Sequence, residues 1–233
     1  MSTPMSRAEW RRRKRRKAMI IRITVFAFLG AVLAALVFGC VVAYRELFMH
    51  EQLGTVSSAG DQEVLNRMLE ISEFSRPGAR MAKRDTKGIV IHCTDNPGTS
   101  AMEQRNYYNS LKTTKGNHLS VHFIVDLDGK IVQCIPVNEQ ALASGARNAD
   151  TLAIEFCYES DTGEPGKFTY ASLVKLTASL LARYGLGADC VYRHSDISSF
   201  AECTCPKWFE DDQRWNEFIT AVMAQAAVLG KKK

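Results

Sequence analysis

The chain has 233 residues, room for one domain with appendages, and 46% of them are hydrophobic. Its formal net charge of +5 averages unlike parts: the first 17 residues carry eight Lys and Arg against Glu9, three lysines close the chain, and the stretch between is net acidic. A mildly acidic body with basic ends is not a nucleic-acid-binding profile, and seven cysteines without CxxC spacing exclude a zinc ribbon or a dithiol redox motif.

Residues 11–17 (RRRKRRK) would by themselves suggest nuclear targeting or RNA binding. The neighbouring segment overrides that. Residues 23–44 contain no charge and are rich in Val, Leu, Ala and Phe. At 1.5 Å per residue such a helix crosses a bilayer core of about 30 Å. The Lys/Arg excess before it puts a cytoplasmic tail at 1–17, a transmembrane signal anchor at 18–44 and the remainder outside. The apolar run is long for a signal peptide, with no clear small-x-small cleavage site after it. Val37-Phe38-Gly39-Cys40 resembles a lipoprotein cleavage box, with Phe38 a poor fit.

Residues 45–86 are polar and weakly patterned, and read as a stalk. Within them, 64–74 (VLNRMLEISEF) reads as a short helix, and Ser75-Arg76-Pro77-Gly78 is a break. The folded domain is expected over 87–233. Gly88-Ile89-Val90-Ile91 is a β-branched run ending at His92 and a turn-forming Thr-Asp-Asn-Pro. Ser100 with Glu103 is a capping box for a helix over 100–114. Residues 121–126 and 130–135 are strands joined through Asp128-Gly129, a hairpin signal. Residues 150–158 (DTLAIEFCY) read as a central strand buried on both faces. A helix spans 169–184, with Gly185 as its C-cap. A short strand over 191–193 leads into His194, and 208–228 is mostly helical. The sum is an α/β fold: a mixed central β-sheet flanked by helices, preceded by an N-terminal transmembrane helix.

Strands of an open α/β sheet place their chemistry at their C-terminal ends. His92 there, alone, is most simply a core histidine. With His194 and Cys205 it forms a set of three N and S donors, which suits a catalytic zinc that keeps one position for water. Cys203 competes with Cys205 for the third place, or forms a disulfide, Cys190 being one partner outside the cytosol. Glu155 interrupts a buried strand, so it is paired (Arg147 and Arg193 are the candidates), metal-bound or turned to a cleft. As a carboxyl of raised pKa it suits a general base. Cys93, Cys134 and Cys157 read as small buried hydrophobes. His122 reads as an inward structural histidine, and Tyr107-Tyr108 as core and rim.

IHCTDNP, SVHFIVDLDGKIVQCIP, NADTLAIEF and RHSDI…TCP occur in this order and roughly this spacing in the zinc-dependent N-acetylmuramoyl-L-alanine amidases (amidase-2, with the T7-lysozyme-like and peptidoglycan-recognition-protein domains), and the chain resembles that family over 87–223. The resemblance makes His92, His194 and Cys205 the Zn2+ ligands and Glu155 the catalytic glutamate. It implies hydrolysis of the amide between N-acetylmuramic acid and L-alanine in peptidoglycan, outside a bacterial cell membrane. The chain departs from the pattern in four places. Val121 precedes His122 where many relatives have Tyr, and Ala141-Leu142-Ala143-Ser144-Gly145 replaces AWHAG. Cys203 stands where a lysine is common, and the His194–Cys205 separation is longer, with 198–202 as the insertion. Residues that normally stabilise the oxyanion are thereby lost, with Lys207, His118 or His122 as substitutes. The competing functions are a non-catalytic muropeptide-binding module of the same fold and a metal-free cysteine hydrolase.

Overall fold

The computed structural model describes residues 7–200 and 202–230, with no account of the side chains of 8–9 and 45–53. Six residues of the basic tail, the Arg45 and Glu46 side chains after the apolar run, Ala201 of the insertion and the terminal lysines therefore lie outside the described residues. The chain divides into two compact units, Met1–His50 and Glu51–Lys233.

The first unit is helix α1 (Arg7–Gly54), which runs on into the second. Trp10–Tyr44 is long and apolar enough to cross a membrane, with a mean hydropathy of 2.8 in its most apolar window. Phe26, Leu29, Leu33 and Phe38 are all exposed. A stretch that shows apolar side chains on every side has no polar face to turn to water.

The second unit holds a seven-stranded sheet in the order β1-β2-β5-β4-β6-β3-β7. The strands are β1 (Ser58–Ala59), β2 (Gln62–Asn66), β3 (Gly88–Cys93), β4 (Phe123–Val125), β5 (Ile131–Gln133), β6 (Thr151–Phe156) and β7 (Val191–Arg193). The β4–β5 hairpin and the β1–β2 pair are antiparallel and the other ladders parallel. Gly129 turns the hairpin at φ +83°, where a Cβ would stand 2.8 Å from the Phe168 carbonyl.

Side chains alternate across the strands and so sort into two cores. Ile89 and Ile91 of β3 with Leu152, Ile154 and Phe156 of β6 pack under α3 (Lys167–Tyr184) and α5 (Asp212–Gly230), through Leu173, Leu176, Leu180, Phe218 and Val222. Ala153, Ile124 and Val132 face α2 (Ala101–Thr114), through Ala101, Tyr108 and Leu111. The capping box closes as expected: Ser100 Oγ accepts from Glu103 N, and Ser100 N donates to the Glu103 carboxylate at 2.9 Å.

The expected stalk and short helix are corrected. Residues 62–66 form β2, which pairs in parallel with β5 through Val64–Ile131 and Asn66–Gln133. Gln133 Nε2 reaches back to the Gly54 carbonyl at 2.8 Å. From the supposed break, Arg76 enters the interior and donates two hydrogen bonds to Glu139, at 2.8 and 2.9 Å, and one to the Leu69 carbonyl at 2.8 Å. Their side chains are only 6% and 3% exposed. Beside them, His122 donates from Nε2 to the Glu139 carbonyl at 2.9 Å and accepts at Nδ1 from Ala153 N at 3.0 Å. Both nitrogens are committed, so this histidine is structural, as expected.

Removing one member of a buried ion pair costs about 3–5 kcal/mol, a large part of the roughly 5–15 kcal/mol a domain has. A fragment of residues 87–233 loses β1, β2 and Arg76 together. It should show no cooperative thermal transition by circular dichroism, whereas residues 51–233 should melt cooperatively. Burial lowers the pKa of His122 from 6.5 to about 4. The unfolded chain then binds the extra proton first, so stability is full above pH 6.5 and falls by about 3 kcal/mol as the pH drops to 4. Denaturant midpoints measured across that range should fall less steeply in His122→Gln than in the parent chain.

Candidate active site

The parallel register of β3 and β6 sets His92 directly beside Glu155. Both point to the α2 face, in phase with Ala153 and opposite to Ile91 and Ile154. Next to β3 on the other side, β7 ends at Arg193, and His194 opens a one-turn helix, α4 (His194–Ile197). Asp196 accepts from Arg193 N at 3.1 Å, and Ser198 N donates to the His194 carbonyl at 2.9 Å. Ser195 N then donates to the Cys205 carbonyl at 2.7 Å, tying the CTCP segment to that turn. Past Pro206 the chain is anchored by the fully buried Phe209, which packs on Phe156, Trp215 and Phe218 with ring centroids 5.0–5.8 Å away.

The donor atoms of His92, His194 and Cys205 consequently lie within 4.8 Å of one another. The two imidazole centroids are 4.5 Å apart, and Cys205 Sγ is 3.9 Å from His92 Nδ1. Of the competing sulfurs, Cys203 flanks the group, 3.7 Å from His194 Nδ1. Cys190 is a free thiol, so the disulfide alternative finds no support in this structure.

The donor set fits a divalent cation. His92 is 6% exposed, its Nε2 has no hydrogen-bond partner among the described residues, and its Nδ1 lies 3.9 Å from the Cys205 sulfur. His122, by contrast, has both nitrogens satisfied. Burial, then the neighbouring His194, holds His92 well below its usual pKa. Burial lowers His194 as well, against the pull of Asp95. Both shifts favour the neutral ring, the form that binds metal. Contact with the Cys93 thiol, then burial, pushes the Cys205 thiol up. Releasing its proton requires a nearby positive charge, which a cation supplies.

Glu155 is 4% exposed and accepts a hydrogen bond from the Tyr108 hydroxyl. Burial raises its pKa to about 7, with the Tyr108 bond opposing and Asp95 adding to the rise. Tyr108, raised well above its usual value by burial and by Glu155, stays protonated, and its oxygen accepts from Gln104 Nε2 at 3.0 Å. The two expected arginine partners are engaged elsewhere: Arg147 with Asp150, Arg193 with Asp196 and Asp212. Tyr108 is the site residue that reading the sequence missed. Its signal was the i, i+4 pairing with Gln104 on the buried face of α2.

These residues line a cleft of about 560 Å³ that also includes Asp95, Asn96, Asn117 and Thr204. Among the proposed oxyanion substitutes, His122 is excluded by its two committed nitrogens. His118 stacks on Phe74 and lines an adjoining cavity that shares His194.

The sequence matches the family Amidase_2, N-acetylmuramoyl-L-alanine amidase, over residues 82–208. It is 32% identical over 182 residues to a probable N-acetylmuramoyl-L-alanine amidase of Bacillus licheniformis, across 73% of this chain and 49% of that protein. It is 30% identical over 183 residues to N-acetylmuramoyl-L-alanine amidase CwlL of the same species, across 73% and 48%. The chain therefore spans about half the length of the curated relatives it matches. Among solved structures, PlyL superposes with a TM-score of 0.58 at 25% identity, over 69% of this chain and 97% of PlyL. The catalytic domain of XlyA gives 0.57 at 26%, over 69% and 99%. With more than half of its residues inside the family match and its sheet and helices superposing on these structures, the chain belongs to the N-acetylmuramoyl-L-alanine amidase family, Amidase_2.

Proposed function

We propose that the chain is a membrane-anchored, zinc-dependent hydrolase of peptidoglycan, cleaving the amide between N-acetylmuramic acid and the L-alanine of the stem peptide. The observation that carries this reading is the register pair His92–Glu155, on one face of the sheet, with His194 and Cys205 gathered against it. The amidase names of the relatives supply the bond to be cut. α1 supplies the anchor: an apolar span with a basic N-terminal flank, which favours a cytoplasmic tail and an external catalytic unit.

His92, His194 and Cys205 would hold the ion. When bound, zinc supplies Lewis acidity, polarising the scissile carbonyl and acidifying water. Glu155, poised near neutrality, takes the proton of the attacking water and hands it to the departing amine. Tyr108 keeps that carboxylate oriented toward the cleft and, always protonated itself, takes no proton from it. The low dielectric that raises Glu155 also strengthens each of these contacts.

Digestion of purified peptidoglycan by the detergent-solubilised chain should release muropeptides with a new N-terminal alanine, seen by mass analysis. Chelator should abolish this, and Glu155→Gln should lower it about 10²–10⁴-fold while leaving bound zinc in place. A binding module without activity would retain peptidoglycan and release nothing. Tyr108→Phe removes a hydrogen bond that favours the ionised form of Glu155, so the base ionises at higher pH. Its rate should fall most at neutral pH and recover under alkaline conditions, moving the acid limb of the pH–rate profile upward. A merely structural loss would lower all points equally.

A further inference from the structure

The catalytic cleft adjoins a second cavity, of about 390 Å³, and the two share Leu119, Ala143 and His194. No step of the proposed reaction uses it. Among the described residues its lining contains no Asp, Glu, Lys or Arg. Leu142, Ala143, Ile197 and Phe200 supply apolar walls. Leu142 and Ala143 stand where the AWHAG pattern has Trp and His, so two side chains smaller than those of the pattern border the space.

The polar groups of this lining have bonding capacity to spare. Ser144 is 3% exposed, and its Oγ has no hydrogen-bond partner among the described residues. Buried polar atoms are nearly always paired. Asn148 Oδ1 accepts from Ala143 N at 3.0 Å and from Ser144 N at 2.7 Å. Both of its lone pairs are then used, and the Nδ2 donors are what Asn148 has left to offer. Phe200, 77% exposed, belongs to the insertion over 198–202. Its N donates to Ser198 Oγ at 3.1 Å, and Ser198 N is bonded to the His194 carbonyl, so the turn that carries His194 also carries this ring.

We propose that the cavity seats an N-acetylated sugar ring of the glycan strand, which places the saccharide side of the scissile amide along His194 and Phe200. The inference rests on the amidase reading of the site. A pyranose has an apolar C–H face for the phenyl ring, an acetamido methyl for the aliphatic wall, and a carbonyl and hydroxyls for Asn148 Nδ2 and Ser144 Oγ. A stem peptide carries free carboxylates, which a cavity without a cationic side chain would leave buried and unpaired. The sugar is uncharged, its own carboxyl being spent in the amide. Only the lactyl group separates the muramic ring from the scissile carbonyl, so a ring beside His194 leaves that carbonyl in the cleft.

The test gives the zinc-loaded, detergent-solubilised full chain substrates that share one stem peptide. Its amine end carries a bare lactyl group, N-acetylmuramic acid, or N-acetylglucosaminyl-N-acetylmuramic acid. From the lactyl peptide to the sugar-bearing ones, kcat/KM should rise about tenfold or more, as binding energy remote from the reacting bond is recovered. A rise with the first sugar assigns the cavity to the muramic ring, and a rise only with the second assigns it to the neighbouring glucosamine. Phe200→Ala and Asn148→Asp should each shrink that ratio about two- to tenfold, the worth of one ring face or one hydrogen bond. Asn148→Asp keeps the acceptor that Ala143 N and Ser144 N need and removes only the donors, and a ratio is blind to a general loss of folded enzyme. Equal kcat/KM on all substrates, or an unchanged ratio in both variants, would overturn the proposal. Saturation-transfer NMR with the peptide-free disaccharide reads the cavity without hydrolysis: the acetyl methyl signals should appear with the parent chain and weaken with Asn148→Asp. Binding with no cleavage of any substrate would sink the amidase reading and leave the sugar site standing, whereas cleavage with no sugar preference and no disaccharide binding would do the reverse.

Discussion

Everything at the site depends on one ladder: β3 lying in parallel between β6 and β7 with His92 level with Glu155. The side-chain period of a strand is two, so a slip by one residue would send His92 and Glu155 to the α3–α5 face and bring Ile91 and Ile154 into the cleft. That slip would also bury a carboxylate and an imidazole among Leu173, Leu176 and Phe218. The hydrophobic pattern that builds the core therefore fixes the chemistry too. Because the three strands run the same way, their C-terminal ends deliver side chains to one edge without any long excursion.

The arrangement carries a cost that the rest of the unit offsets. His122 and His92 are the same residue type and both are buried, yet one has two committed nitrogens and the other none in an ordinary hydrogen bond. A buried polar group without a partner costs about 1–3 kcal/mol. The desolvated Glu155 and the buried Cys205 thiol add to that cost at the same site. Opposing this are two apolar layers, the Arg76–Glu139 pair and the aromatic cluster around Phe209, all outside the cleft. A cation would relieve the site where those elements cannot, by giving one nitrogen of each imidazole and the Cys205 sulfur a common partner.

The parts of this architecture legible in the sequence were those whose signal is local. The apolar runs of β3 and β6, the Ser100–Glu103 capping box, the Asp128-Gly129 turn and the Gly185 cap each depend on residues within a few positions of one another. β1 and β2 were not legible. Only Val64 of β2 is buried, and its partner Ile131 lies far along the chain, so neither periodicity nor propensity marked the strand. The same distance hid Arg76, which has the sequence context of a turn and reveals its role only beside Glu139. At the site, His92, His194 and Cys205 were legible as a donor set, but which thiol of CTC joined them was a question of direction. The Tyr108–Glu155 contact, 47 residues apart in sequence, was visible only as a helix face.

The site is also built unevenly, and that follows from where its halves are attached. His92 and Glu155 sit on neighbouring strands whose backbone groups pair on both sides. His194 and the two thiols sit on 194–206, held by Ser195 N to the Cys205 carbonyl, by Arg193 reaching Asp212 at 2.7 Å and the Phe209 carbonyl at 3.2 Å, and by the Phe209 cluster. A few contacts fix one half and a whole ladder fixes the other. Insertion of extra residues within 194–206 leaves the strand half untouched and changes only how the second imidazole and the sulfurs approach it. Changes in this segment can therefore reshape one wall of the cleft, while the register that pairs His92 with Glu155 is held by the core.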